Sequence, residues 1–182
     1  NRADMSTAGM IHGLTAPTDA VVLNDGSLLI AEIATGNLVQ ANGDQWHDTA
    51  PVVTGLQGPV QLIKAADGML YVTEAAGRIS RVNPADWSTE TVTEGLVLPE
   101  GLAQMPDGNL IVAEAAAGRL TKVDLATGTQ TVLVSDLPIG LPAGPGMPPS
   151  YIPTGLAVDA NGVIYVAADR NNAIYKITPS ND

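Results

Sequence analysis

The sequence predicts an all-β chain built as a β-propeller, and three observations carry that prediction. One phrase recurs four times, as "PTDAVVLNDGSLLIAEIATGNL" from Pro17, "PVQLIKAADGMLYVTEAAGRIS" from Pro59, "PEGLAQMPDGNLIVAEAAAGRL" from Pro99 and "PTGLAVDANGVIYVAADRNNAI" from Pro153. The copies stand 42, 40 and 54 residues apart, close to the period of a four-stranded propeller blade. Each copy also carries a turn signal at the same place: Asn24-Asp25-Gly26, Ala66-Asp67-Gly68, Pro106-Asp107-Gly108 and Ala160-Asn161-Gly162. Asp-Gly and Asn-Gly accept the positive φ of a tight hairpin, so four such turns in register mark four hairpins.

The third unit shows the strands most clearly. Gly101 to Met105 is short and apolar, the Asp107-Gly108 turn follows, and "NLIVAE" is rich in strand-favouring residues. "AAAG" turns the chain again, "RLTKVD" alternates apolar and polar residues, and "QTVLVS" closes the sheet. Apolar residues cluster or alternate at period two between these turns, which excludes a helical reading. The units are 13–54, 55–94, 95–136 and 153–182 of a single domain spanning 1–182, with 137–152 a proline-rich insertion. The fourth unit stops after Ala173 to Ile177 without an outer strand, whereas residues 5–12 have the look of an outer strand with no blade before it. One spare strand and one missing strand predict closure of one terminus on the other. Four blades are therefore visible, as a four-bladed ring or as the last four blades of a larger one. The chain opens at Asn1 rather than Met, which marks a processed product or part of something longer.

Composition narrows the function. Hydrophobic residues make up 45% and aromatics 3%, with no phenylalanine, so the core must be built from Val, Ile, Leu and Ala. Eight basic against 19 acidic residues give a formal charge of −11, a field that repels phosphate backbones and anionic lipid. Nucleic acid is excluded as a partner on this ground, and no apolar run approaches the length that would insert in a membrane. The absence of cysteine removes disulfides, thiolate catalysis and Cys-type zinc sites.

The candidate site residues lie where the repeats differ. Thr18, Val60, Glu100 and Thr154 each follow the proline that opens a unit, and Asp19 and Gln61 stand beside the first two. The first strand of a blade lines the central channel, so these residues are expected to ring one mouth. Thr18, Gln61, Glu100, Thr154 and Tyr151 are the expected ligand-binding set. Glu100 and Asp19 are hard oxygen donors, and calcium is the cofactor they would suit. On the alternative reading the threonines satisfy local backbone groups and Glu100 is a solvated carboxylate. Glu32, Glu74 and Glu114 recur at the end of each second strand, with Asp169 one place offset. Arg78 and Arg119 stand just across the following turn, so this carboxylate ring reads as scaffold. His12 and His47 fall away from the expected channel, and no G-x-S-x-G marks a serine nucleophile. The prolines of the insertion, from Pro138 to Pro153, stiffen a long excursion that would rise from the channel face beside Tyr151.

The recurring P-x-G-L…P-D-G-x-L-x-V-A-E…G-R-L-x-x-V-D phrase and the proline-rich lead "LPIGLPAGPGMPPSYIPTGLAV" resemble the NHL-type and senescence-marker-protein/gluconolactonase-type propellers, and in look the secreted bacterial propellers of the scytonemin biosynthesis cluster. The resemblance runs from Gly13 to Ile177 and implies a six-bladed ring. It also implies a periplasmic or extracellular bacterial protein. The gluconolactonase branch implies a calcium-dependent hydrolase with a channel metal held by Glu, Asn and Asp. Here none of the residues after the four prolines is Asn, and Glu100 occupies one expected Asn position. Virginiamycin-lyase propellers share the phrase, but their His and Glu cluster has no counterpart in this sequence. The leading expectation is a binding scaffold that takes a small molecule or a protein at its acidic channel face. A calcium-dependent lactonase or esterase and a structural subunit of a larger assembly are the alternatives.

Overall fold

The computed structural model describes residues 10–42, 48–141 and 154–179. Its strands fall into four consecutive antiparallel sheets, each a meander in chain order. Blade 1 holds β1 (Pro17–Val22), β2 (Leu28–Glu32), β3 (Asn37–Asn42) and β4 (Asp48–Val53). Blade 2 holds β5 (Pro59–Lys64), β6 (Leu70–Glu74), β7 (Arg78–Val82) and β8 (Thr89–Glu94). Blade 3 holds β9 (Pro99–Gln104), β10 (Leu110–Glu114), β11 (Arg119–Val123) and β12 (Gln130–Val134), with a single 3₁₀ turn at Ala115–Ala117. Blade 4 holds β13 (Leu156–Val158), β14 (Ile164–Ala168) and β15 (Ala173–Ile177), and has no fourth strand among the described residues.

The first hairpin of every blade turns where the sequence places it. Gly26, Gly68, Gly108 and Gly162 all take φ between +79° and +87°, a region closed to most side chains. The preceding carboxylate locks the turn: Asp25, Asp67 and Asp107 accept the amides of Ser27, Met69 and Asn109 at 2.9–3.0 Å. In blade 4, where Asn161 replaces that aspartate, Asp159 accepts the amides of Asn161 and Val163 instead.

Three apolar clusters fill the spaces between blades. Leu29, Ala31 and Leu38 of blade 1 meet Leu62, Leu70, Val72 and Val82 of blade 2. Tyr71 and Ile79 of blade 2 meet Leu102, Leu110 and Val112 of blade 3. Ile111, Ala113 and Leu120 of blade 3 meet Ile164, Val166 and Ala168 of blade 4. Apart from Tyr71 these residues are aliphatic, as the composition predicts, and each fully buried Leu or Ile contributes roughly 1.5–3 kcal/mol.

The inner strands pack in sequence, β1 on β5, β5 on β9 and β9 on β13, while β13 and β1 form no comparable contact among the described residues. The four sheets are thus an open arc and not a closed four-bladed ring. The closing strand expected at 5–12 falls mostly on residues 1–9, outside the described residues, and Met10 to His12 are not in a strand. Most of the proline-rich insertion, Tyr151 included, also lies outside them.

Candidate functional site

The inner strands of blades 1–3 break register beside the residues that distinguish the repeats. The ladder between β1 and β2 is irregular between Pro17 and Asp19, and that between β5 and β6 between Pro59 and Leu62. The corresponding irregularity of β9 and β10 falls between Val112 and Glu114, opposite Glu100 and Gly101. A bulge frees its residues from straight alternation and re-aims their side chains. Here they are aimed sideways, into the next blade.

Asp19 illustrates the device. Its Oδ1 accepts the amide of Ala20 at 2.8 Å, and its Oδ2 crosses to blade 2 to accept the amide of Leu62 at 2.9 Å. Gln61 holds the equivalent place in blade 2, and its Oε1 accepts the amide of Leu102 in blade 3 at 2.5 Å. Thr18 adds a second link, donating to the carbonyl of Pro59 at 3.1 Å. Thr73, fully buried, does the same one blade on. Its Oγ1 accepts the amide of Gln61 and donates to the carbonyl of Glu100, both at 3.1 Å.

At the third boundary the device shifts by one residue. Gly101 stands where Asp19 and Gln61 stand, and there is no room for a side chain: a Cβ there would lie 2.4 Å from the Thr154 carbonyl oxygen and 2.9 Å from the Leu156 Cβ. Glu100 supplies the link instead. Its Oε2 accepts both the amide and the hydroxyl of Thr154 at 2.9 Å. Glu100 is only 4% exposed, and burial pushes its carboxyl up; the two Thr154 bonds pull it down, and the charge of Asp169 pushes it up again.

The structure therefore brings Glu100 and Thr154 together and leaves Thr18, Asp19 and Gln61 on other blade boundaries. Asp19 and Glu100, the expected calcium ligands, stand on different boundaries, and three of their four oxygens accept protein hydrogen bonds. As a pair they do not fit the many-oxygen shell that calcium requires. Among the described residues no three His, Asp or Glu side chains gather as a metal site. His12 is exposed, and His47 lies outside the described residues.

The recurring carboxylates are framework in three blades and something different in the fourth. Glu32 accepts the amide of Thr15 at 2.6 Å and the hydroxyl of Thr35 at 2.8 Å. Glu74 accepts the amide of Gln57, the Arg78 guanidinium at 2.7 Å and the Ser80 hydroxyl at 2.5 Å. Glu114 accepts the amide of Val97 at 2.7 Å, a two-point bond from Arg119 at 2.6 and 2.8 Å, and the hydroxyl of Thr121. Burial alone would raise the Glu114 carboxyl, but Arg119, Thr121 and the Val97 amide together hold it below the usual range.

Asp169 accepts the corresponding loop amide, that of Leu141 at 2.9 Å, on Oδ2. Its other oxygen, Oδ1, is buried and has no partner among the described residues. Ala173 occupies the place of Arg78 and Arg119, and Tyr175 that of Ser80 and Thr121. The one-place offset of Asp169 is visible in the sequence; the significance of the missing arginine is not until the pairing is known.

A separate open groove of about 520 Å³ runs between blades 2 and 3 on the opposite face, lined by Asp67, Tyr71, Arg81, Glu90, Leu125 and Thr127. Several of its polar groups are tied to one another, while the Arg81 Nε is buried with no partner among the described residues. The Tyr71 hydroxyl donates to Asp67 at 2.8 Å, and Arg81 pairs with Glu90 at 2.6 Å. Burial and the Asp67 carboxylate push the Tyr71 hydroxyl up to about 12.

Three four-stranded sheets and one three-stranded sheet, stacked on their inner strands, define the described residues as an arc of a β-propeller. Residues 15–182 match the model of the SMP-30/gluconolactonase/LRE-like region, and the chain belongs to that family. No curated protein sequence matches the chain. Among solved structures it is similar to virginiamycin B lyase from Staphylococcus aureus, at 21% identity and a TM-score of 0.69, over 92% of this chain and 54% of that one. It is similar also to a gluconolactonase from Xanthomonas campestris, at 20% identity and a TM-score of 0.65, over 91% of this chain and 62% of that one. The WD40 β-propeller domain of Doa1 matches 91% of the chain at 16% identity and a TM-score of 0.67, over 51% of its own length. The chain thus spans between half and two thirds of the length of these propellers.

Proposed function

We propose that the chain is a ligand-binding propeller scaffold, with its site on the channel face where blades 3 and 4 meet. The observation that carries this reading is the contrast between Asp169 and its three counterparts. Glu32, Glu74 and Glu114 have both carboxylate oxygens occupied by the fold. Asp169 keeps a buried oxygen without a partner among the described residues, and its charge acts on the buried Glu100. A buried acceptor is costly until a donor reaches it. A small molecule bearing hydroxyl or amine donors fits that need, and a phosphate or carboxylate ligand does not. We place the protein outside the bacterial cytoplasm on the resemblance of its repeat phrase to secreted propellers. No helix among the described residues is long and apolar enough to cross a membrane.

The second reading is a calcium-dependent hydrolase of lactones or esters, and the same unpartnered oxygen of Asp169 is the observation in its favour. Calorimetric titration separates the two. Chelator-treated protein is titrated with calcium and, separately, with polyols and sugar lactones, alongside Glu100→Gln and Asp169→Asn. The scaffold reading expects a polyol or lactone to bind without turnover and binding to fall at least ten-fold in Asp169→Asn. Stoichiometric calcium binding lost in both variants, with calcium-dependent lactone hydrolysis, would replace it with the enzyme.

A further inference from the structure

The first hairpin of blade 4 turns on Asn161-Gly162, where the other three blades turn on Asp-Gly. Asp25, Asp67 and Asp107 each use Oδ1 to accept the amide two residues on. In blade 4 that amide belongs to Val163, and it goes to Asp159, which also accepts the amide of Asn161. With Asp159 in that role, the Asn161 carboxamide makes no hydrogen bond among the described residues. Asn161 is exposed, and so are Asp67 and Asp107, whose blades have a packed neighbour on each side. Exposure at this tip is thus a property of the hairpin and not of the place of blade 4 in the arc.

An asparagine followed by glycine is the residue pair most prone to close on itself. The glycine nitrogen attacks the asparagine Cγ, a C–N bond forms, and the carboxamide nitrogen leaves as ammonia, taking the proton of the glycine N–H. Water then opens the five-membered imide, at one carbonyl to aspartate and at the other to isoaspartate. Only water is consumed. Gly162 has no Cβ to shield its nitrogen, but it is covered, and its amide donates to the Asp159 carbonyl at 3.0 Å. The attack waits for that bond to open, so its rate follows the loosening of the hairpin tip.

The aspartate so formed has a partner in place. Ile111 pairs with Lys122 and Tyr165 with Lys176 across equivalent ladders, so the two lysines hold the same position in their blades. Lys122 binds Asp107, the aspartate of its own turn, at 2.5 Å. Arg81 holds that position in blade 2, on the same side as the turn carboxylate Asp67. Lys176 is exposed and has no ion pair among the described residues.

From this match we infer that Asn161 is a site of spontaneous deamidation, and that the aspartate it yields pairs with Lys176 as Asp107 pairs with Lys122. The sequence holds two Asn-Gly pairs, at Asn42 and Asn161; blade 4 is where the fold supplies the lysine. The aspartyl product tightens the hairpin, whereas the isoaspartyl product carries an extra methylene in the backbone of the turn and does not fit the pair. The modification uses neither Glu100 nor Asp169 and so stands apart from the ligand reading.

Purified protein held at mildly alkaline pH and sampled over time tests it, by peptide mass mapping. The peptide carrying Asn161 should gain the mass of amide-to-acid exchange, several-fold faster in dilute urea that loosens the tip. Asn161→Gln, whose longer side chain does not close the five-membered ring, should lose the gain. Asn161→Asp stands for the product. At low salt it should slow hydrogen exchange of the β14 and β15 amides by about two-fold, the size of an exposed ion pair, and Lys176→Gln should remove the difference. A wild-type Asn161 peptide that keeps its mass while the urea-unfolded chain deamidates would overturn the proposal. So would an Asn161→Asp variant with unchanged exchange, or one whose protection survives Lys176→Gln.

Discussion

Two buried glutamates, Glu100 and Glu114, lie in the same blade and respond to pH with opposite signs. Glu114 is held below the usual carboxylate range by its arginine, hydroxyl and amide partners. Its contribution to stability is complete above the ordinary glutamate range and is lost as pH falls through its lowered native value. Glu100 is raised, so its ionised form is penalised in the fold. That penalty is complete near neutrality and is relieved as pH falls through its raised native value. Glu100→Gln keeps an acceptor for Thr154 and should be more stable than wild type near neutral pH, with the advantage vanishing in acid. Glu114→Gln weakens a buried pair and should cost about 2 kcal/mol near neutrality, the difference shrinking in acid. Urea midpoints at two pH values check both signs. The links between blades make a third test: Gln61→Ala strands the Leu102 amide and should cost about 1–2 kcal/mol, whereas Asp19→Asn keeps an acceptor for Leu62 and should cost less.

The elements were legible because their signals are local. Each first hairpin is specified by three adjacent residues, and each second strand by an unbroken run such as "LIVAE" between two turns. The pairing of Glu74 with Arg78 and of Glu114 with Arg119 was legible for the same reason, since both partners flank one turn. The inter-blade links were not. Asp19 bonds Leu62, 43 residues away, and Glu100 bonds Thr154, 54 residues away. A carboxylate at a channel mouth reads equally well as metal ligand or as staple until the neighbouring strand is in place. Thr73 was missed altogether, being one more threonine in a strand. Gly101 gave a signal in hindsight, a glycine where blades 1 and 2 have Asp and Gln. Gly101→Ala should cost about 2–3 kcal/mol through overpacking against Thr154 and Leu156. Gly155→Ala, whose Cβ would sit 3.6 Å from its nearest neighbour, should cost less. Hydrogen exchange would show the loss of protection in Gly101→Ala concentrated at blade 4, on amides such as that of Ala167.

At the scale of the molecule, the described blades pack chiefly on the blade before and the blade after. The stability of such an array is a sum of units and junctions, not the property of one core. The junctions are unequal. Among the described residues blade 4 has three strands where the others have four, and it packs on blade 3 alone. Of the three junctions described, the one to blade 4 joins the smallest sheet. Heating should therefore unravel the chain from blade 4 inward, giving a calorimetric enthalpy larger than the van't Hoff value from a single-probe melt. Any molecule bridging Glu100 and Asp169 would then act as a clasp on the loosest link. Its binding would be read as a sharper melting transition as well as a higher melting temperature.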